Sequence, residues 1–334
     1  MKPTYISWAP YCSRSDHTAR ELGGVSHMVY RAALGSRVAT AWLKYLVQAI
    51  DTFRILGRER PDAVFVMSPP VFAVLTVWAW CRVRRVPYIV DAHTAAFLHP
   101  RWRYLQWLHN ALCRRAATTI VTNDHLAGLL EGAGARTTIV RDVPVEYRVT
   151  NAFQPEGAFS VAIVCSFNYD EPIAAMLTAA AQLPDVRFYM TGNASKLQKL
   201  DAPAIPGNVV LTGFLSEEEY GSLIANASAV MTLTTRDHTM LRGAWEAVYQ
   251  GTPVIVSDWP VLREAFDRGA IHVDNSPVAI AAAVRRMQAE LPRYRTEAAV
   301  LRDGKRSRWA EAKRALLRAL DTPGVDGRHA QNVW

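Results

Sequence analysis

The sequence of 334 residues lacks the features of disulfide-stabilised, zinc-binding and membrane-spanning proteins. Its four cysteines are far apart and form no Cys-x-x-Cys pair, which argues against a disulfide framework or a zinc site and fits a reducing compartment. No run of about 18 uncharged apolar residues occurs, so no transmembrane helix is predicted. The start, MKPTYISWAP, has no apolar h-region, and we therefore expect no signal peptide and a cytoplasmic location.

Three nucleotide- and metal-binding motifs are also missing. Neither G-x-G-x-x-G nor G-x-x-x-x-G-K-[ST] occurs in the sequence, which weakens the case for a dinucleotide oxidoreductase or a P-loop enzyme. Asp-x-Asp is absent as well. We therefore expect no metal site and no cofactor.

The net charge of +8 is unevenly distributed. Residues 1–150 contain 19 Lys and Arg against 10 Asp and Glu, whereas residues 151–334 contain 19 against 20. A basic half suggests an anionic partner such as nucleic acid, a phospholipid surface or a phosphorylated substrate. An ordinary basic surface is the alternative.

Short apolar, β-branched runs alternate with helical patterns along most of the chain. This alternation is typical of parallel sheets covered by helices on both faces, and its extent predicts two doubly wound, Rossmann-like α/β domains. We place the domains at 1–150 and 151–305, with a polar junction near 143–159. The predicted strands lie in the runs 4–9, 63–67, 87–93, 118–123, 137–142, 159–167, 186–192, 208–214, 227–235, 252–258 and 270–274.

One segment in the second half combines a polar turn with a helix that carries a glutamate. In TTRDHTMLRGAWEAVYQGTPVIVSD (234–258), the pattern predicts a strand end, a turn, a helix that ends at Gly251, and a further strand. Ligands of doubly wound proteins bind at the carboxyl ends of the strands, where helix N-termini present free amides. The turn and the helix that carries Glu246 are therefore a predicted ligand site.

The string WEAVYQGTPVIVSDWPVLREAF, with the preceding NVVLTGFLSEEEYGSLIANASAVMTLTT, resembles the retaining GT-B glycosyltransferases of group 1 or family 4, of the type that makes bacterial envelope polysaccharides. The resemblance is specific over about residues 159–270 and mainly architectural in the first half, where YIVDAH and TTIVTNDHLAGLLEGAG look similar. It implies two Rossmann-like domains facing a cleft, with a C-terminal helix and tail (306–334) that cross back to the first domain.

The resemblance implies that Glu246 accepts hydrogen bonds from the ribose hydroxyls of a nucleotide-sugar donor. A carboxylate suits this role because it can accept from both hydroxyls of a diol. The alternative is an exposed helix carboxylate that contacts only Arg242, four residues earlier.

The family places a second acidic residue eight positions before this glutamate, where the present sequence has His238. That residue normally touches the donor sugar, so His238, or Asp237 beside it, is expected to make this contact. The alternative is that Asp237 or Thr239 caps the helix.

The segment SFNYDEP lacks the Arg and Lys that usually hold the diphosphate in this family. We therefore expect Arg236, Arg242 and the amides near Thr239 and Met240 to bind it, since Arg binds phosphate well. Solvated surface arginines are the alternative. A separate resemblance, at GFL (213–215), implies that backbone groups there contact the base, which makes Phe214 and Leu215 candidates.

In the first half, the resemblance allows Gly23-Gly24 to be a phosphate-facing pair. We prefer the alternative, in which Ser15 or Asp16 caps a helix that ends at Gly23-Gly24 and Arg14 is the charged group of a cleft-facing loop. The resemblance also suggests His93, at a strand end, as a catalytic residue facing the anomeric centre. A structural histidine is the alternative.

Two segments of the first half combine Trp with Arg. Residues 69–85 are too short to span a bilayer and are predicted either to contact the membrane or to pack as a helix on the sheet. Residues 99–116, with Trp102, Tyr104 and Trp107 among arginines, are the stronger candidate for an interfacial segment.

These features together predict a peripheral membrane glycosyltransferase on the cytoplasmic face. Its expected partners are a UDP- or GDP-linked sugar donor and a lipid-linked saccharide acceptor, without nucleic acid. The alternatives are an epimerase-like GT-B enzyme that acts on sugar nucleotides and a non-catalytic binder of anionic polymers.

Overall fold

A computed structural model describes residues 1–31, 38–98, 100–199, 203–237 and 239–321. The chain divides into two compact units, one formed by residues 1–143 with residues from 308 onward and the other by residues 144–307. The sequence predicts these boundaries at 150 and 305.

The first unit contains a parallel sheet in the order β2-β1-β3-β4-β5-β6. Its strands are β1 (Pro3–Ser7), β2 (Val25–Met28), β3 (Ala63–Ser68), β4 (Tyr88–Ala92), β5 (Thr118–Val121) and β6 (Thr137–Ile139). Its helices are α1 (Ser13–Glu21), α2 (Val38–Glu59), α3 (Val71–Arg84), α4 (Ala95–Leu98), α5 (Gln106–Arg115) and α6 (Asp124–Gly132), with a 3₁₀ segment at Pro100–Leu105.

Both faces of this first sheet are covered, as a parallel sheet requires. Helices α2, α3, α5 and α6 pack on one face, where Val66 and Val90 belong to the same apolar cluster as residues of these helices. The opposite face packs against α1 and against Trp309 and Leu316.

The second unit repeats this architecture with a parallel sheet in the order β12-β11-β10-β7-β8-β9. Its strands are β7 (Ser160–Ile163), β8 (Arg187–Thr191), β9 (Val209–Gly213), β10 (Ala229–Thr232), β11 (Val254–Ser257) and β12 (Ala270–Val273). Its helices are α7 (Ile173–Ala181), α8 (Glu217–Asn226), α9 (Arg242–Tyr249), α10 (Pro260–Ala265), α11 (Pro277–Ala289) and α12 (Leu291–Asp321), with a 3₁₀ segment at Ala194–Lys199.

The second core also has two sides. One apolar cluster contains residues of α7 and α11, and the other contains residues of α8, α9 and α10. Helix α12 begins in this unit, and its residues from Arg308 belong to the first unit.

The predicted fold class, two doubly wound α/β sheets, is confirmed. Each of the predicted apolar runs contains a strand, but the prediction missed β2. This strand, Val-Ser-His-Met, lies at the edge of its sheet and is only partly buried, so it lacks the continuous apolar run of a central strand.

The two Trp- and Arg-containing segments differ in burial. In residues 69–85, α3 buries Val74, Val77 and Trp80 against the sheet. Of the two predicted alternatives, the structure shows the helix packed on the sheet. In residues 99–116, Tyr104 and Trp107 are exposed. Among the described residues, no helix is both long and apolar enough to cross a bilayer.

Gly192 allows the loops after β7 and β8 to approach each other. Its φ is +101°, a region that disfavours L side chains, and a Cβ there would lie 2.4 Å from the carbonyl oxygen of Cys165. The amide of Gly192 also donates to the carbonyl of Gly213, 3.0 Å away. Glycine therefore holds three strand ends together at this edge of the second sheet.

We expect Gly192→Ala to lower the free energy of unfolding by about 2 kcal/mol or more, because both the backbone angle and the carbonyl contact oppose a methyl group. Urea unfolding would measure the change. Gly207→Ala is the matched control, since no atom lies within 4 Å of its Cβ position. Equal stabilities of the two variants would show that the close approach is not required.

Candidate functional site

Glu246 lies on α9 with only 4% of its surface exposed. Its Oε1 accepts a hydrogen bond from Arg242 Nε at 2.7 Å, and its Oε2 accepts one from the Tyr220 hydroxyl at 2.6 Å. The contact with Arg242 that the sequence suggested is therefore present, but the carboxylate is buried rather than exposed. Since a carboxylate can accept about four hydrogen bonds, these two leave capacity for a diol.

Tyr220 was not predicted from the sequence, yet it orients Glu246. Burial and the neighbouring Glu246 charge raise the Tyr220 pKa well above its ordinary value, so the phenol stays neutral and donates. Its ring meets Tyr147 edge-on at 5.6 Å, and Gly221 has no room for a side chain because a Cβ would lie 2.4 Å from Tyr147 Cβ. The Tyr-Gly pair in SEEEYGSL was the available sequence signal.

The loop after β10 is attached to the loop after β7. The Thr235 amide donates to the Asp170 carbonyl at 2.7 Å, and Arg236 Nη1 donates to the Tyr169 hydroxyl at 3.1 Å. The Arg236 side chain remains more than half exposed, so its guanidinium can still meet an anion. This exposure agrees with the expected diphosphate contact and equally with a solvated arginine.

The remaining predicted residues of this loop precede α9. Leu241 occupies the N-cap position without a side-chain hydrogen bond, so neither Asp237 nor Thr239 is the cap. The helix begins later than the capping alternative requires. Met240 is partly buried against the core beside α9. His238 lies outside the described residues.

A cation reaches the loop after β7 from another part of the chain. Lys196 Nζ donates to the Ser166 carbonyl at 3.0 Å from the 3₁₀ segment after β8. Inside the loop, Glu171 accepts from the amides of Ser166 and Asn168, each at 2.9 Å from one of its oxygens. The sequence of this loop contains no cation, and Lys196 was not predicted; its position just after a strand end was the available signal.

Phe214 and Leu215 follow β9 directly. The Phe214 ring is 84% exposed, whereas Leu215 is partly buried against the core beside α9. Ser216 then begins α8 with a capping box that includes Glu219. The exposed aromatic ring at this strand end can stack on a planar base.

In the first unit, the buried Asp91 forms an ion pair with Arg14, whose side chain is 19% exposed. Arg14 Nε lies 3.0 Å from Asp91 Oδ2, and its Nη2 donates to the Val140 carbonyl at 2.9 Å. The Tyr5 hydroxyl donates to the same carboxylate at 2.5 Å. Arg14 belongs to helix α1 rather than to a preceding loop, because the helix starts at Ser13, earlier than predicted.

His93 stands at the edge of this cluster. Its Nε2 is 3.6 Å from Asp91 Oδ2 and makes no hydrogen bond within the described residues. Burial disfavours the Asp91 carboxylate, but the charge of Arg14, with His93 and Tyr5, outweighs burial and holds the Asp91 pKa below its usual range. Asp91, which the sequence analysis did not select, thus anchors both predicted residues of the first unit.

The lowered pKa of Asp91 predicts a pH-dependent contribution to stability. A depressed carboxyl pKa stabilises the folded state above the unfolded value, near about pH 4, and this stabilisation disappears as the pH falls toward the folded value. Asp91→Asn should lower the free energy of unfolding by about 3 kcal/mol at pH 7, because it breaks a buried pair. The gap from the wild type should narrow below about pH 4.

Chemical unfolding at several pH values would measure this gap. Asp185→Asn provides the control, since Asp185 also pairs with an arginine but is solvent-exposed, and its effect should be much smaller at every pH. A gap for Asp91→Asn that stays constant between neutral and acidic pH would contradict the assignment.

Sequence comparisons match both halves of the chain to glycosyltransferase domains. Residues 10–146 match the Glycosyl transferase 4-like domain, and residues 160–290 match Glycosyl transferases group 1. No curated protein sequence matches the chain.

Solved structures share the fold at low sequence identity. HepE of Anabaena in complex with UDP has a TM-score of 0.64 and 13% identity, covering 96% of this chain and 100% of its own. Sucrose-phosphate synthase from Thermosynechococcus elongatus has the same TM-score and identity, covering 95% and 98%. The chain therefore matches a glycosyltransferase domain in each half, and its likeness to these solved structures shows that it shares their fold.

Proposed function

We propose that this protein transfers a sugar, with retention of configuration, from a UDP- or GDP-linked donor to a lipid-linked or envelope saccharide. The observation that carries the proposal is the buried Glu246 carboxylate, held by Tyr220 and Arg242 within the region that matches group 1 glycosyltransferases. Two HepE structures, bound to UDP and to UDP-glucose, support a UDP-linked donor.

The described residues of the second unit suit a nucleotide diphosphate. Glu246 would accept from the ribose hydroxyls, while the exposed Phe214 ring would lie against the base. Arg236 and Lys196 would neutralise the diphosphate, aided by the free amides at the start of α9. Since His238 replaces the acidic residue of the family, it is proposed to set the choice of sugar.

Transfer requires the bond between the anomeric carbon and the donor phosphate oxygen to break. The electron pair leaves with the nucleoside diphosphate, where cationic groups and amides stabilise the developing charge. The acceptor hydroxyl forms the new bond to the anomeric carbon on the same face and passes its proton to the departing phosphate oxygen. We assign the contact with the reacting centre to His93, whose Nε2 has no hydrogen-bond partner among the described residues.

Glu246→Gln should weaken the binding of the donor nucleoside diphosphate by about 1.5–3 kcal/mol, the range for hydrogen bonds to a charged group. Gln is preferred to Ala because Glu246 is buried and paired, and truncation would leave Tyr220 and Arg242 without this partner. Isothermal titration with UDP and GDP measures the change. Glu218 is an exposed carboxylate on α8, and Glu218→Gln should bind UDP and GDP as the wild type does. Equal nucleotide affinities of Glu246→Gln and Glu218→Gln would refute the role of Glu246.

His93→Ala should lower turnover by about 100-fold or more while changing nucleotide affinity little, because a group at the reacting centre acts mainly in the transition state. The exposed His125 on α6 offers a control, since His125→Ala should keep wild-type kinetics. Wild-type turnover in the His93 variant would show that the reacting centre lies elsewhere.

The reaction products distinguish an epimerase from a transferase. A protein from Listeria monocytogenes that carries an assignment as a UDP-N-acetylglucosamine 2-epimerase shares the fold, with a TM-score of 0.62 and 13% identity over 90% of this chain and 91% of its own. An epimerase would convert the sugar nucleotide without an acceptor. A transferase releases nucleoside diphosphate in proportion to the acceptor glycosylated, which chromatography of the nucleotides would measure.

A further inference from the structure

The helix α2 exposes a continuous apolar stripe. Its members are Trp42, Leu43, Leu46, Ile50 and Phe53, whose exposed fractions range from 37% to 67%. At 3.6 residues per turn, these five positions fall within an arc of roughly 100°, along a length of roughly 16 Å. We refer to these five residues as the outer stripe of α2.

The outer stripe is distinct from the side of α2 that packs on the sheet. The buried side carries Gln48 and Thr52, which are almost inaccessible. Gln48 Nε2 donates to the Val29 carbonyl at 2.5 Å, and the Thr52 hydroxyl accepts from Trp8 Nε1 at 2.9 Å. Leu56 is fully buried on this side as well, so α2 packs on the sheet through residues other than the outer stripe, and core packing does not explain the outer stripe.

Cations lie beside the outer stripe. Arg54 and Arg58, which follow it on the helical surface, have side chains 77% and 72% exposed. The carboxylates of α2 are largely covered: the side chains of Asp51 and Glu59 are only 15% and 18% exposed. Asp51 pairs with both Arg31 and Arg54, and Glu59 with both Lys2 and Arg58, so cations outnumber carboxylates here. The charge that this region presents to its surroundings is therefore positive.

Further aromatic and basic side chains are exposed in the same helical layer. Helices α2, α3 and α5 pack in sequence on one face of the first sheet. Beyond α3, Tyr104 and Trp107 are 79% and 69% exposed. Arg103 lies 5.4 Å from the centre of the Tyr104 ring. Aromatic rings beside arginines are typical of surfaces at the boundary between headgroups and acyl chains.

We propose that the outer stripe of α2 inserts into the headgroup–acyl boundary of an anionic bilayer, with Arg54 and Arg58 on the phosphates. This inference deepens the proposed function, on which it rests for the lipid-linked acceptor, and identifies the surface that would hold the protein at the membrane. A second copy of the chain fits less well, because a two-fold contact through this face would bring the same exposed arginines of both copies together.

The test is partition of the full-length protein onto vesicles of phosphatidylcholine with and without phosphatidylglycerol, at low and high salt. The wild type should bind the anionic vesicles, and binding should decrease with salt. The double variant Leu46→Glu/Ile50→Glu should reduce partition by about tenfold or more, because it places charge in the outer stripe, which would have to enter the bilayer. Val278→Glu, at an exposed valine of α11, should bind as the wild type does.

Trp42→Ser is a second variant that adds no charge, and its thermal unfolding should match that of the wild type because Trp42 is exposed. It should weaken partition several-fold. Three results would overturn the proposal: no binding of the wild type to anionic vesicles, unchanged partition in both stripe variants, or a solution dimer that the stripe variants dissociate. UDP and GDP titrations of the same preparations separate this failure from failure of the proposed function, since the donor site does not involve α2.

Discussion

All strands in both sheets run parallel, and this constraint organises the rest of each unit. A parallel sheet has to be covered on both faces, so a helical segment connects each strand to the next within each sheet, and all carboxyl ends lie on one edge. The loops after β7, β8, β9 and β10 therefore meet at one edge of the second sheet. Donor-site candidates from four separate stretches of sequence converge there for this reason.

Each unit fixes one buried carboxylate with a tyrosine and an arginine. Asp91 is held by Tyr5 and Arg14, and Glu246 by Tyr220 and Arg242. Burial of a carboxylate is costly unless charge and hydrogen bonds compensate, so such groups are oriented before any ligand arrives. In the second unit this holds the carboxylate that we propose binds the ribose, whereas in the first it holds a carboxylate beside His93.

The outer stripe of α2 shows the other consequence of the layered fold. A helix on a parallel sheet needs only one apolar face to bury, yet α2 has large apolar side chains on the opposite face as well. In α3, by contrast, the apolar residues are largely turned inward against the sheet. Both helices contain many apolar residues, and only their packing shows which helix buries them against the sheet and which also presents them at a surface.

The sequence by itself determined the α/β class, the positions of eleven strands and the helix that carries Glu246, because these follow from local periodicity and from helix-ending glycines. Only the tertiary structure brought Lys196 to Ser166, Tyr220 to Glu246 and Arg14 to Asp91, pairs that are 30, 26 and 77 residues apart. The hydrophobic periodicity of a helix or strand indicates which of its faces is buried, but not which distant side chain contacts that face. These contacts depend on the strand order and on the crossover connections, which only the tertiary structure determines.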